Sequence, residues 1–185
     1  NKINDLSMAL ESTCRVQVPI PGKNAFGIEV PNKNRMTVGL REILESSNFQ
    51  NSKSPLTFAL GKDISATCKV ACIDKLVHTL VAGSTGSGKS VCLNTMLVSL
   101  LYKASPEDLR LILVDPKTVE FTLFNNLPHM LIPNTITECD KAISALGWLV
   151  EEMDRRYKKL NAFGVKKISE YNETPEVLTG QVPKM

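Results

Sequence analysis

The sequence predicts an α/β fold, a mostly parallel sheet with flanking helices, preceded by a small α/β unit. Three observations carry that expectation. The stretch GSTGSGKS at residues 83–90 fits the P-loop pattern G-x-x-x-x-G-K-[ST] at every fixed position, with an apolar run at 76–82 before it and a helical run at 91–102 after it. Leu111, Ile112, Leu113 and Val114 form a continuous apolar stretch, as in the middle of a parallel sheet. Apolar residues then recur at three/four spacing over residues 142–160, the period of a long amphipathic helix.

Composition bounds the possibilities. The chain has 185 residues and is 43% hydrophobic, enough to bury the core of one domain or of one domain plus a small appendage. No apolar run approaches the ~20 residues of a membrane span, and the polar start Asn1-Lys2-Ile3-Asn4-Asp5 has no secretory core. A soluble piece is expected and, since the sequence does not begin with Met, one drawn from a longer protein. The net charge of +3 permits contact with nucleic acid without demanding it. The cysteines (Cys14, Cys68, Cys72, Cys92, Cys139) have no C-x-x-C spacing, so reduced, mostly buried thiols are expected rather than a zinc site.

In chain order, Ile3, Leu6, Met8, Ala9 and Leu10 predict a short helix. Cys14, Val16, Val18 and Ile20 alternate as a strand, Pro21-Gly22-Lys23-Asn24 turns, and residues 25–30 return as a second strand. Thr37 is a candidate cap for a helix reaching Ser46, with Leu40, Ile43 and Leu44 inward. This small unit, residues 1–47, precedes a nucleotide core over 48–185 that opens with a polar linker at 48–54. Leu56, Phe58 and Leu60 pair with residues 67–72 as a hairpin. The helix after the P-loop is apolar on nearly all sides and is expected to be buried. Thr137-Glu138-Cys139-Asp140 opens the long helix with a start like a capping box, and Gly164 sits where its C-cap would be. Trp148 lies beside the apolar stripe, as a core or interface residue. Glu151, Glu152, Asp154, Arg155, Lys158 and Lys159 read as a solvated face rather than a DNA patch, and Arg155 and Arg156 either reach a neighbouring subunit or form ordinary surface salt bridges. Residues 168–185 show no period and predict a loop.

The P-loop carries the chemistry. Gly83, Gly86 and Gly88 let the backbone bring its N–H groups close to phosphate oxygens, and the helix behind presents its positive N-terminal end. The expected nucleotide contacts are Gly83, Ser84, Thr85, Gly86, Ser87, Gly88, Lys89, Ser90 and Val91. Lys89 is expected to reach the β/γ-phosphates, and the Ser90 hydroxyl to hold Mg²⁺. The apolar strand ends in Asp115-Pro116-Lys117, and strand ends are where ligands sit in open α/β sheets, so Asp115 and Glu120 are further candidates for catalysis. His78, on the expected P-loop strand, reads as a packed or hydrogen-bonded residue rather than a catalyst.

These residues also carry a resemblance. LVAGSTGSGKSV, LLYKASPEDLRLILVDPK, the Pro128-His129 loop and EEMDRRYKKLNAFGVKKISEYN are similar to the motor core of the FtsK/SpoIIIE DNA translocases, as are the upstream FGIEVPN, LREIL and SPLTFALGKDIS. It spans residues 6–172. The resemblance implies a RecA-like ATPase using ATP and Mg²⁺. It implies a homo-oligomer, a hexameric ring around double-stranded DNA, pumping DNA in chromosome segregation during division or sporulation. It implies a cytoplasmic motor without membrane contact of its own, in a parent with an N-terminal membrane anchor and a C-terminal winged-helix module. The family's Walker B strand, four apolar residues followed by Asp-Glu, has no counterpart after Asn172, so the resemblance puts that acidic pair beyond Met185. Residues 111–115 themselves look like a Walker B strand, with Asp115 on Mg²⁺; the resemblance instead makes them the strand between P-loop and Walker B. Two other readings stand beside this one. The chain alone binds nucleotide without hydrolysing it, or it is a P-loop ATPase of conjugation or packaging type.

Overall fold

The computed structural model describes residues 2–20, 24–34, 36–76 and 78–185. The chain divides into two compact units, Asn1–Glu42 and Ile43–Met185.

In the first unit, helix α1 (Lys2–Ala9) precedes two short strands, β1 (Arg15–Gln17) and β2 (Gly27–Glu29). They pair antiparallel with Val16 opposite Ile28, as the alternation predicts. Most of the turn expected at 21–24 lies outside the described residues. The Ser7 hydroxyl accepts the Cys14 amide at 3.1 Å, tying the helix to the first strand.

The helix expected up to Ser46 is two pieces instead, α2 (Leu40–Leu44) and α3 (Ser47–Gln50). Thr37 caps neither. Ser46 takes extended backbone between them, and its hydroxyl accepts the Phe49 amide as the cap of α3. The expected linker at 48–54 is therefore partly helical, and Phe49 is fully buried. The cause is tertiary. Lys103 Nζ donates to the Phe49 and Gln50 carbonyls at 2.9 and 3.0 Å and lies 5.2 Å from the Phe49 ring centre.

Strands β3 (Thr57–Lys62) and β4 (Cys68–Cys72) form the expected hairpin, with a bulge between Ala59 and Gly61. Helix α4 (Lys89–Lys103) lies against it. The buried Ser99 hydroxyl accepts the Ala59 amide at 3.2 Å and donates to the Thr95 carbonyl at 2.6 Å, so no polar atom is stranded at that contact. Met96 and Leu100 pack on Phe58 from one side of α4, while Leu97 packs on Leu113, Phe124 and Met130 from the other. Each such side chain contributes roughly 1.5–3 kcal/mol by burial. The helix is not enclosed all round, since Val91 and Tyr102 are exposed.

The parallel sheet is present only in outline. Among the described residues, parallel pairing is limited to two bridges, Leu111 with Met130 and Val114 with Ile136. The two segments differ in length between the bridges, so the second loops out through Pro133, which has no N–H to offer a ladder. Among the described residues of 76–82, the expected strand does not form either. No described segment pairs with it, Leu80 is 91% exposed, and His78 is exposed rather than packed.

Helix α5 (Cys139–Ala162) matches its period, but the expected capping box is absent: Glu138 makes no side-chain cap bond and pairs with Lys141 instead. It ends as predicted at Gly164, whose φ is +66°. The Gly164 amide donates to the Asn161 carbonyl and the Val165 amide to the Leu160 carbonyl, both at 3.0 Å, a Schellman closure. The apolar stripe is uncovered. Ala145 and Leu160 are buried on α5, while Ile143, Leu146, Val150, Met153 and Tyr157 are exposed. Trp148 borders an open cavity of about 370 Å³ with Ile112, Leu131, Ile132 and Ala145.

The expected C-terminal loop is structured. Helices α6 (Ile168–Asn172) and α7 (Pro175–Leu178) fold back so that Tyr171 and Val177 bury against Leu160. The Asn172 side chain both donates to and accepts from the Met185 backbone. All five cysteines are free, but Cys14 alone is buried; Cys92 and Cys139 are exposed, each in the first turn of its helix. No helix among the described residues is long and apolar enough to cross a membrane.

Candidate nucleotide site

The site is built at the start of α4. Gly83 has no room for a side chain: a Cβ there would lie 2.3 Å from the Ser87 hydroxyl oxygen. The Ser87 amide closes the loop onto the Ser84 carbonyl at 3.1 Å. Gly88 is the helix N-cap with φ +93°, a left-handed backbone that follows Gly86 at φ +78°. Gly88 brings no side chain to cap the helix. The amides of the first turn are thus left to whatever binds there, as at helix ends that hold anions. Lys89 is exposed beside them, and so are Ser84, Thr85 and Val91.

Ser90, the last fixed position of the pattern, is half-buried, and its hydroxyl donates to Glu120 Oε1 at 2.5 Å. Thirty residues of chain separate the pair. Asp115 explains why Glu120 lies there. Asp115 is 7% exposed, and its carboxylate accepts the amides of Lys117 at 3.1 Å, Val119 at 3.0 Å and Glu120 at 2.8 Å. The Glu120 amide does most to hold the Asp115 carboxyl below the usual carboxylate range, with the Val119 and Lys117 amides adding to it and burial opposing. The loop so gathered turns through Thr118 at φ +58°. The segment's other end is fixed by the Asp115 amide, which donates to the Ile136 carbonyl at 2.8 Å.

The structure therefore brings Ser90, Glu120 and Asp115 into one neighbourhood with the P-loop. Lys117 is exposed on the same turn. His129 lies elsewhere, its Nε2 2.9 Å from the Ala104 carbonyl. Arg155 and Arg156 are committed to Glu152 on α5. Sequence reasoning named Asp115 and Glu120 but missed their roles toward each other and toward Ser90. A carboxylate followed by Pro and then a turn was the available signal for the first, since Asp side chains commonly cap their own following amides.

The chemistry on offer is specific. Backbone amides and a lysine suit phosphate oxygens. A hydroxyl backed by a carboxylate offers hard oxygen to a divalent cation that keeps several waters, as Mg²⁺ does. The residues present fit a magnesium nucleotide.

Comparison with known proteins points the same way. The FtsK/SpoIIIE family profile matches residues 39–181, and the FtsK alpha domain profile matches residues 1–32. DNA translocase FtsK of Clostridium tetani is 53% identical over 159 residues, covering 86% of this chain and 21% of that protein. DNA translocase FtsK of Campylobacter jejuni is 52% identical over 182 residues, 98% of this chain and 19% of that one. DNA translocase SftA of Bacillus subtilis is 49% identical over 174 residues, 94% of this chain and 18% of that one. The chain thus spans about a fifth of the length of these relatives. Among solved structures, the pCW3 conjugation coupling protein TcpA in its monomer form with ATPγS superposes with a TM-score of 0.58 at 26% identity, covering 92% of this chain and 45% of that one. With its P-loop in place and the family profile spanning most of its length, this chain belongs to the FtsK/SpoIIIE family.

Proposed function

We propose that this chain is the ATP-binding part of a motor that hydrolyses ATP to translocate double-stranded DNA. The observation that carries it is the loop at 83–90, running through left-handed Gly86 and Gly88 into the open N-terminus of α4 beside Lys89. Amides of residues 83–88 would hold the β-phosphate, with Val91 close behind in the first helical turn. Lys89 would reach the β/γ-phosphates. Ser90 would be the protein's ligand to Mg²⁺, and that ion would neutralise charge on the transferring phosphoryl group. Asp115 acts as the clamp of the following loop, its two oxygens already accepting three of that loop's amides.

The longer protein would work as a hexameric ring on the cytoplasmic side of a membrane anchor, moving chromosomal DNA in division or sporulation. Names of relatives that are about half identical to this chain over the stretch they share with it support the DNA substrate. For this chain alone, binding without turnover is expected. The residues after Asn172 form α7 and a turn, not an acidic strand. A coupling-type ATPase is the second reading, favoured by the likeness to TcpA.

The test is calorimetry with Mg-ATP, with hydrolysis followed in the same samples with and without duplex DNA. Lys89→Ala removes a charge-assisted contact of about 1.5–3 kcal/mol, so affinity should fall roughly 10- to 150-fold. Unchanged affinity would overturn the nucleotide assignment. Turnover that DNA stimulates in this chain would move Asp115 or Glu120 into the chemistry.

A further inference from the structure

We infer that Glu120 is a positioning residue for the metal-binding hydroxyl: it takes the Ser90 proton in its hydrogen bond and so turns the oxygen lone pairs toward Mg²⁺. The inference rests on the nucleotide reading above and deepens it. A serine hydroxyl has one proton and two acceptor sites. It ligates a cation through a lone pair, and it does so best when the proton has an acceptor elsewhere. Here the proton is committed to Glu120 Oε1 at 2.5 Å, within the short range of hydroxyl-to-carboxylate bonds.

The carboxylate reaches that place because its own loop is built for it. Asp115 gathers the Lys117, Val119 and Glu120 amides, and Asp115 itself is pinned through its amide to Ile136. Leu113 and Phe124, on either side of the loop, sit in one buried cluster with Leu97 of α4. The helix that carries Ser90 and the loop that carries Glu120 are therefore packed on each other. The contact is held from both sides rather than made by two free side chains. Such outer partners orient metal ligands, and their loss commonly costs 10- to 100-fold in metal affinity. Glu120 would then touch neither nucleotide nor metal.

The experiment is a Mg²⁺ titration of ATPγS binding to the intact chain, read by calorimetry for wild type, Glu120→Ala, Ser90→Ala and the double variant, Ala being chosen because Gln would keep an acceptor oxygen for the Ser90 proton. Circular dichroism melts confirm that each is folded. Wild type should bind ATPγS with a clear Mg²⁺ midpoint. Glu120→Ala should raise that midpoint 10-fold or more while leaving metal-free ATPγS affinity within about twofold. In the Ser90→Ala background the same substitution should add almost nothing, because the partner it acts through is gone. An equal shift in both backgrounds would overturn the inference and make Glu120 a direct ligand. An unshifted midpoint in Glu120→Ala would overturn it too, and in both cases the nucleotide reading survives. Absence of any Mg-ATPγS binding by folded wild type would remove the nucleotide reading and the inference together.

Discussion

Helices α4 and α5 answer to their sequences differently. Helix α4 has apolar residues on nearly every side, and its packing is divided between two clusters, Met96 and Leu100 on the hairpin and Leu97 on the 111–130 segment. Helix α5 has the cleaner amphipathic pattern, yet most of its stripe is open. An amphipathic period says which face a helix would bury. Only partner surface at the right place decides whether that face is buried, and for α5 the described residues supply the cavity wall at Ile112, Leu131 and Ile132 and, at its C-terminal end, Tyr171 and Val177 against Leu160. Helix α4 is fixed by contacts that arrive from distant sequence, the Ser99 hydroxyl bond to β3 among them.

Leu100→Ala tests that contrast most severely. The residue is 3% exposed and touches Phe58, so the loss should be about 2–5 kcal/mol in urea unfolding. The same exchange at Leu146, 63% exposed, should stay within about 0.5 kcal/mol. Comparable losses at both sites would mean that α5's face is covered in solution.

The next effect separates the clamp from the helices. The Asp115 carboxyl is held below its unfolded value by the Glu120, Val119 and Lys117 amides, so its contribution is present above the unfolded carboxylate range near pH ~4 and is lost as pH falls through the depressed value. Wild type should therefore exceed Asp115→Ala in stability at neutral pH, with the gap closing in acid below about pH 4. A gap that does not change with pH would show that the carboxylate's charge has no part in holding the loop.

The smallest effect belongs to the polar face of α5. Glu152 accepts from both Arg155 and Arg156, and these pairs lower its carboxyl, the Arg156 bond first. Both arginines are largely exposed, so Glu152→Gln should cost no more than about 1 kcal/mol and less at high salt. Thermal melts at two salt concentrations measure it.

What was legible in the sequence follows the range of the forces involved. The P-loop could be read because its recipe is local: glycines where the backbone goes left-handed or where a Cβ would strike Ser87. The β3–β4 hairpin, α4 and α5 could be read because alternation and three/four spacing are also local. Phe49 could not, since Tyr102 and Lys103, which its ring and carbonyl meet, lie more than fifty residues away. Tyr171 hid within an aperiodic tail, although Thr174-Pro175 offered a helix start. The parallel strands were overestimated because an apolar run states only that a strand would be buried, while a strand exists through its neighbours. The Ser90–Glu120 bond was out of reach for the same reason, its two ends being joined only by the fold.

The Lys103 contacts have a mechanical meaning. Helix α4 is a rod of about 22 Å, from fifteen residues at 1.5 Å each. The phosphate loop is at one end. At the other, an ammonium group is bolted to two carbonyls and an aromatic face of α3. A rod bolted at its far end and gripped along two sides cannot recoil when something is pressed against its tip. The give that a bound ligand demands must come from the loop at 83–88, so the helix serves as the anvil of this site and that loop as its spring.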